Sequence, residues 1–351
     1  MKCLMRGMSV ITALFAYVGV ARADTPIAAA LANYKGTVVI ARGDTIAWTT
    51  PTPRTPCPQA QSDIVLCHPR NPAEVEWPWA SVTKQVVATL VMQQVEAGLL
   101  SLDVPATRYL RRWPGSAPVP TVRQLIQHRA GLRNPNDSVA DAAGKPSFYS
   151  DGPNGPDWCL TERKPPGGDW RYNNCDYIVL GEILKRATDR DVAALFAERI
   201  ARPLGLKQAR FVARGAPAPS LVSGNVSELI AYGAAGALVG KPNELLAFDR
   251  ALLSGKLLKP ATLVELWRSD PALGFMALGQ WSFSAPLKGC STPVRVIERR
   301  GGIGATQVRN ILLPDLAMTI IMFLRDENFD FGEIWQGKGL SHDVLVAAAC
   351  R

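Results

Sequence analysis

Between Ser81 and Leu100 the chain carries neither Gly nor Pro until Gly98, and its apolar residues fall at Val82, Val86, Val87, Leu90, Val91, Val95 and Leu99. A helix over this stretch presents apolar groups on more than one side, which is the pattern of a helix deeply buried inside a domain. The rest of the chain must therefore surround it. Residues 35–49 read as two β-rich runs turning at Arg42-Gly43-Asp44, and residues 278–283, 294–299, 307–313 and 317–324 read as strands near the other end. Helices are expected at 177–187, 192–200, 243–253, 260–268 and near 342–349. Residues 50–79 and 133–169 are rich in Pro, Gly, Asn and Asp and read as long irregular segments, the second of which could border a site. Strands at both ends with helices between them predict an α+β fold. One antiparallel sheet is built from both chain ends (approximately 24–80 and 270–351) and flanked by helices, with a large inserted helical region (approximately 81–269).

The first residues fall outside that fold. Lys2 and Arg6 precede an uncharged, mostly apolar stretch of 15 residues, Gly7 to Ala21, and Ala21-Arg22-Ala23 offers the small-x-small pattern of a signal-peptidase site. A membrane span needs about 20 residues, so a cleaved signal peptide over 1–23 is expected rather than an anchor. No later run is apolar enough to span. Cleavage leaves 351 − 23 = 328 residues with a charge of +9 − 3 = +6, and a periplasmic or secreted location with no integral membrane segment. No Lys/Arg run is interleaved with aromatic residues, which argues against a nucleic-acid partner.

Six cysteines remain after cleavage, an even number that suggests disulfides in an exported chain. Sequence proximity favours Cys57–Cys67 and Cys159–Cys175 and leaves Cys290–Cys350, each contributing about 2–4 kcal/mol. With no close CxxC pair and three histidines, His68, His128 and His342, neither a metal nor another cofactor is expected.

Ser81-Val82-Thr83-Lys84 opens the buried helix. At i and i+3 the hydroxyl and the ammonium share a helical face. A lysine desolvated at the root of such a helix can lose its proton and so activate the serine, with the helix N-terminus beside the developing charge. Alone, the motif equally suits a serine that merely caps the helix.

It does not stand alone. Trp77-Pro-Trp-Ala-Ser-Val-Thr-Lys-Gln with Glu96-Ala-Gly-Leu-Leu-Ser-Leu-Asp103, and Val122-Arg-Gln-Leu-Ile-Gln-His128-Arg-Ala-Gly131-Leu132, resemble segments of the class C β-lactamase family, which also holds D-alanyl-D-alanine peptidases and related esterases. Pro166-Gly167-Gly-Asp-Trp170-Arg-Tyr172-Asn173-Asn174 resembles the Tyr-x-Asn signature of that family. The resemblance runs from roughly residue 33 to 325 and implies a β-lactamase/transpeptidase-like fold. It further implies Ser81 as nucleophile, Lys84 and Tyr172 as proton-transfer partners, and Asn174 as a hydrogen-bonding partner of Lys84 or of substrate. His128 reads as structural. The family's third signature, Lys or His-x-Gly, aligns with Arg299-Arg300-Gly301. Arg299 is then expected to bind a substrate carboxylate or to pair with an acid such as Glu298. Gly301 and Gly302 allow substrate to lie close, and the Gly302 amide completes an oxyanion hole with that of Ser81. The substrate expected is a β-lactam or a D-Ala-type amide or cell-wall peptide. The alternatives are an esterase of the same family or a non-catalytic scaffold that kept the fold.

Overall fold

Apolar strands from the two ends of the chain find each other in one sheet. The computed structural model describes residues 25–49, 75–150, 155–215 and 226–350. The expected leader and the Cys57–Cys67 pair lie outside the described residues. In chain order the strands are β1 (Thr37–Arg42), β2 (Thr45–Thr49), β3 (Trp77–Pro78), β4 (Arg210–Phe211), β5 (Leu238–Gly240), β6 (Trp281–Ala285), β7 (Val294–Ile303), β8 (Thr306–Leu313) and β9 (Met318–Arg325). The main sheet has the order β2-β1-β9-β8-β7-β6, and every neighbouring pair is antiparallel. β1 zips onto β9 with Ile40 opposite Ile320.

β9 is buried at seven consecutive positions, Met318 to Leu324, because both faces of the sheet are covered. Ile321 and Phe323 face the same core as Val86, Val87 and Leu90 of the central helix. Ile320 and Met322 face a second core with Ile27, Val344 and Leu345, which come from helices Thr25–Ala30 and Gly339–Ala349. The α+β architecture with an antiparallel sheet from both chain ends is the one the sequence predicts.

The central helix runs over Thr83–Glu96, and every residue from Thr83 to Met92 is buried. Two boundaries differ from expectation. Ser81 sits in a 3-10 turn, Ala80–Val82, that leads into the helix rather than in the helix itself. At the other end Gly98 adopts φ +72°, a left-handed geometry that ends a helix at little steric cost. A second, three-stranded sheet, β3-β5-β4, was not anticipated. It grips the residues just before Ser81: Trp77 and Pro78 pair with Gly240 and Val239, and Trp79 N–H donates to the Leu238 carbonyl at 2.9 Å. Its strands are two or three residues long, too short for any alternating pattern to mark them.

Among the described residues, two disulfides tie separate segments together. Cys159–Cys175 joins the short helix Pro156–Cys159 to helix Asn174–Thr188, and Cys290–Cys350 joins the β6–β7 connection to the end of the chain.

Candidate active site

Ser81 and Lys84 keep the i, i+3 relation, and Lys84 Nζ lies 3.1 Å from Ser81 Oγ. Lys84 has no exposed surface. Its other two donor positions are filled by Asn174 Oδ1 at 2.7 Å and by the carbonyl of Ala235 at 2.7 Å. Burial holds the Lys84 pKa well below the ordinary lysine value, the charge of Arg299 lowers it further, and Asp176 opposes both. A neutral amine beside a serine hydroxyl is a proton acceptor.

Tyr172 closes the other side of the serine. Its hydroxyl is in direct hydrogen-bond contact with Ser81 Oγ, and its ring lies 4.8 Å from Lys84 Nζ. Ser81 and Tyr172 are each partly exposed, whereas Lys84 and Asn174 are buried behind them. The tyrosine is placed by a network that begins at the helix start. Asn173 caps helix Asn174–Thr188 by accepting from Cys175 N–H at 2.9 Å, and its amide donates to the Leu132 carbonyl at 2.9 Å. Asn134 donates to the Tyr172 carbonyl at 2.9 Å.

His128 packs behind Tyr172 with ring centroids 4.9 Å apart. Its Nδ1 accepts from Asn173 N–H at 3.3 Å and lies 3.1 Å from Asp176 Oδ2. Burial and the nearby charges of Arg299 and Lys84 lower the His128 pKa well below its usual value, and burial raises that of Asp176. Burial thus disfavours the charged form of both side chains. This places His128 as a support for the tyrosine loop, with no contact to Ser81.

Arg299 does not stand in the open cleft. It is fully buried, its Nε donates to the Ser81 carbonyl at 3.0 Å, and its guanidinium lies 5.6 Å from the Tyr172 ring and 5.3 Å from the Trp281 ring. The expected meeting with a substrate carboxylate finds no open approach, and Glu298 pairs instead with Arg300 at 2.8 Å. This cation beneath Ser81 adds to burial in lowering the Lys84 pKa. Gly301 is the close-approach glycine: a Cβ there would lie 2.8 Å from Ser81 N and 2.9 Å from Ala80 Cβ. Gly302 follows it on β7, exposed and opposite Gln307. Ala80, immediately before Ser81, is held at φ +46°, a strained geometry for a residue with a Cβ.

Sequence reasoning missed Tyr149, whose hydroxyl accepts from Asn174 Nδ2 at 2.7 Å, and the Ala235 carbonyl. A lone half-polar aromatic pair, Phe148-Tyr149, inside a Pro/Gly-rich segment was the available signal for the first. A backbone carbonyl leaves none. The 133–169 segment thus contributes Asn134 and Tyr149 to the backing of the site. Among the described residues no group of three or more His, Cys, Asp or Glu is placed to hold a metal ion.

A two-sided α+β sheet domain with a serine flanked by a desolvated lysine and a tyrosine defines the class of serine acyl-transfer proteins. The Beta-lactamase family model matches residues 69–322, more than half of the chain, so the chain belongs to the β-lactamase family, a family of serine hydrolases. Esterase EstB of Burkholderia gladioli is 36% identical over 152 residues, covering 38% of each chain. The D-alanyl-D-alanine-carboxypeptidase/endopeptidase AmpH of Escherichia coli is 28% identical over 150 residues, covering 38% of this chain and 36% of that one. These alignments span little more than a third of the curated relatives. Among solved structures, a D-stereospecific amidohydrolase from a Streptomyces species superposes with a TM-score of 0.69 at 22% identity, over 93% of this chain and 97% of that one. The D-amino acid amidase of Ochrobactrum anthropi SV3 gives 0.68 at 19% identity, over 92% and 98%. Both share the fold. No helix among the described residues is long and apolar enough to cross a membrane.

Proposed function

We propose that the protein is an exported serine hydrolase that forms an acyl-enzyme at Ser81 on a small amide or ester substrate, of the β-lactam, D-Ala-peptide or carboxylic-ester kind. The observation that carries this is the placement of Ser81 Oγ between the buried Lys84 amine and the Tyr172 hydroxyl. Lys84, neutral at the working pH, takes the Ser81 proton directly or through Tyr172 while Oγ attacks the carbonyl. The backbone N–H groups of Ser81 and Gly302 hold the oxyanion, and Gly301 lets β7 come close enough for this. Tyr172 returns the proton to the leaving group, and water then releases the acyl group by the reverse route. Asn174 fixes Lys84. Arg299 acts through the nucleophile's own backbone and through Lys84. The preference for carboxylate-bearing substrates rested on Arg299 reaching them; with that side chain covered, esters stand level with D-Ala-type amides, as the similarity to EstB also suggests. Export to the periplasm or medium is supported by the expected cut after Ala23 and by two disulfides, which persist in oxidising compartments.

The test is intact-mass spectrometry of the mature protein after brief exposure to benzylpenicillin, N-acetyl-D-alanine thioester and 4-nitrophenyl acetate, beside a Ser81→Ala control. A mass increase in the parent protein alone identifies the nucleophile and the acyl class. No adduct with any of the three would leave the chain as a scaffold that kept the fold.

A further inference from the structure

Beside the site, on the sheet edge, lies a cavity of about 350 Å³ walled by Phe275, Trp281, Phe283 and Trp335 and floored by Glu298, Arg300 and Glu333. Its charges are already spent on one another. Arg300 donates to Glu298 at 2.8 and 3.1 Å and to both oxygens of Glu333, one of them at 2.5 Å, and Trp335 Nε1 donates to Glu333 at 2.8 Å. Glu298 also has Arg309 at 4.0 Å. No net charge is left to attract an ion. Two of its rings, in contrast, are open to solvent: Phe275 is 45% and Trp335 64% exposed, and exposed rings around a concavity mark a binding surface rather than scattered surface hydrophobics.

Arg300 of the cavity floor is followed on β7 by Gly301, where a Cβ would lie 2.8 Å from Ser81 N, and the cavity is also lined by Trp281. That ring lies 5.3 Å from the Arg299 guanidinium, which is bonded to the Ser81 carbonyl, and 6.2 Å from Trp170 of the tyrosine loop. The Arg299 guanidinium also lies 5.6 Å from the Tyr172 ring, so one buried side chain sits against both rings. β6 pairs with β7 only over Val294 to Glu298, and residues 299–303 of β7 have no partner strand on that side among the described residues. Glu298 and Arg300, where this free edge begins, both line the cavity. A leaving group must sit beside its proton donor, and Trp170, two residues before Tyr172, lies 6.2 Å from the Trp281 ring that lines the cavity.

We infer that the Phe275–Trp281–Phe283–Trp335 cavity is the leaving-group subsite and takes an uncharged aromatic or bulky apolar alcohol or amine. This rests on the acyl-transfer reading of Ser81. In the step concerned, Ser81 Oγ bonds to the acyl carbon and the bond from that carbon to the leaving oxygen or nitrogen breaks. The leaving atom then receives, from Tyr172, the proton that left Ser81.

The experiment compares kcat/KM for the ethyl and 2-naphthylmethyl esters of acetic acid and of N-acetyl-D-alanine. Each pair yields the same acyl-enzyme, so any preference arises in acylation. The naphthylmethyl ester should be preferred, and Trp335→Ala and Phe275→Ala should each cut the ratio by about fivefold to tenfold or more. Val264→Ala, a distant exposed residue, should leave the ratio in place. Independently, 2-naphthalenemethanol should bind the Ser81→Ala protein by calorimetry and lose that binding when Trp335→Ala is added. A ratio that neither variant moves would overturn the subsite while leaving the nucleophile assignment intact. Binding of the alcohol without acylation of Ser81 by any ester would instead sink the hydrolase reading, and with it the leaving-group role.

Discussion

Lys84 and Gln85 are consecutive on one buried helix, neither has any exposed surface, and they do opposite things. Lys84 has three hydrogen-bond partners, one of which is the Ser81 hydroxyl, so its network opens through the partly exposed Ser81 and Tyr172. Gln85 points to the sheet. The Asn310 amide on β8 donates to Gln85 Oε1 at 2.9 Å and to Asp249 Oδ1 at 2.9 Å, bolting the central helix to helix Pro242–Leu253 and the sheet. That cluster opens onto no reactive group, and burial holds the Asp249 carboxyl well above its ordinary pKa, hence neutral. A buried polar group can be kept either because chemistry needs it or because it fixes how layers pack. One helix carries both kinds on adjacent residues, aimed apart by about 100° of helical turn.

The largest effect that would break this contrast is on Lys84. Lys84→Met should lower acylation of Ser81 at least about a thousandfold, while Gln85→Met keeps acylation within a few fold in the same mass-spectrometric assay. Comparable losses in both would mean that the two networks are one. Next, Gly301→Ala should slow acylation about a hundredfold, since its Cβ would press on Ser81 N and Ala80 and shift the nucleophile. Stopped-flow acylation rates check it; a rate within threefold of the parent would show that β7 can give way.

On the structural side, Asn310→Leu removes both donors and leaves Gln85 and Asp249 with unmet buried oxygens. It should lower unfolding stability by about 3 kcal/mol in urea titrations, with acylation little changed. An undiminished midpoint would deny the bolt its role.

The two networks should also respond to pH with opposite signs. Asp249 keeps its proton in the folded state above pH 3.8, where the unfolded chain has lost it. Stability therefore falls as pH rises through the window from 3.8 to the raised folded value, by up to about 1.4 kcal/mol per pH unit. Lys84 lacks its proton in the folded state below pH 10.5, where the unfolded chain still binds one. Its contribution is present above 10.5 and is lost as pH falls toward the lowered folded value. Asp249→Asn should flatten the acidic part of the stability profile and Lys84→Met the basic part. A profile unchanged in either variant would mean that its group titrates as it does in water.

Much of this was legible in the residues. Ser81 and Lys84 are three apart, and helical geometry alone brings such side chains to one face, so their 3.1 Å approach followed once the segment was helical. Hydrophobic periodicity located the central helix and the strands at both ends because burial of one face repeats every 3.6 or 2 residues. Tyr172 and Asn174 were marked only by the resemblance of residues 166–174 to the family's Tyr-x-Asn signature. Three features were not legible. Arg299 is separated from Ser81 by 218 positions and lies beneath it; whether a strand's arginine faces cleft or core depends on register and sheet packing. The Asn310–Gln85–Asp249 cluster needs three elements to meet. The aromatic cavity gathers residues from 274 to 335 that no spacing rule joins. Short-range geometry is set by backbone stereochemistry and is written in the sequence as spacing. Which buried charge faces which, and how far each pKa moves, is set by desolvation and by distances between elements, and these exist only once the layers have packed.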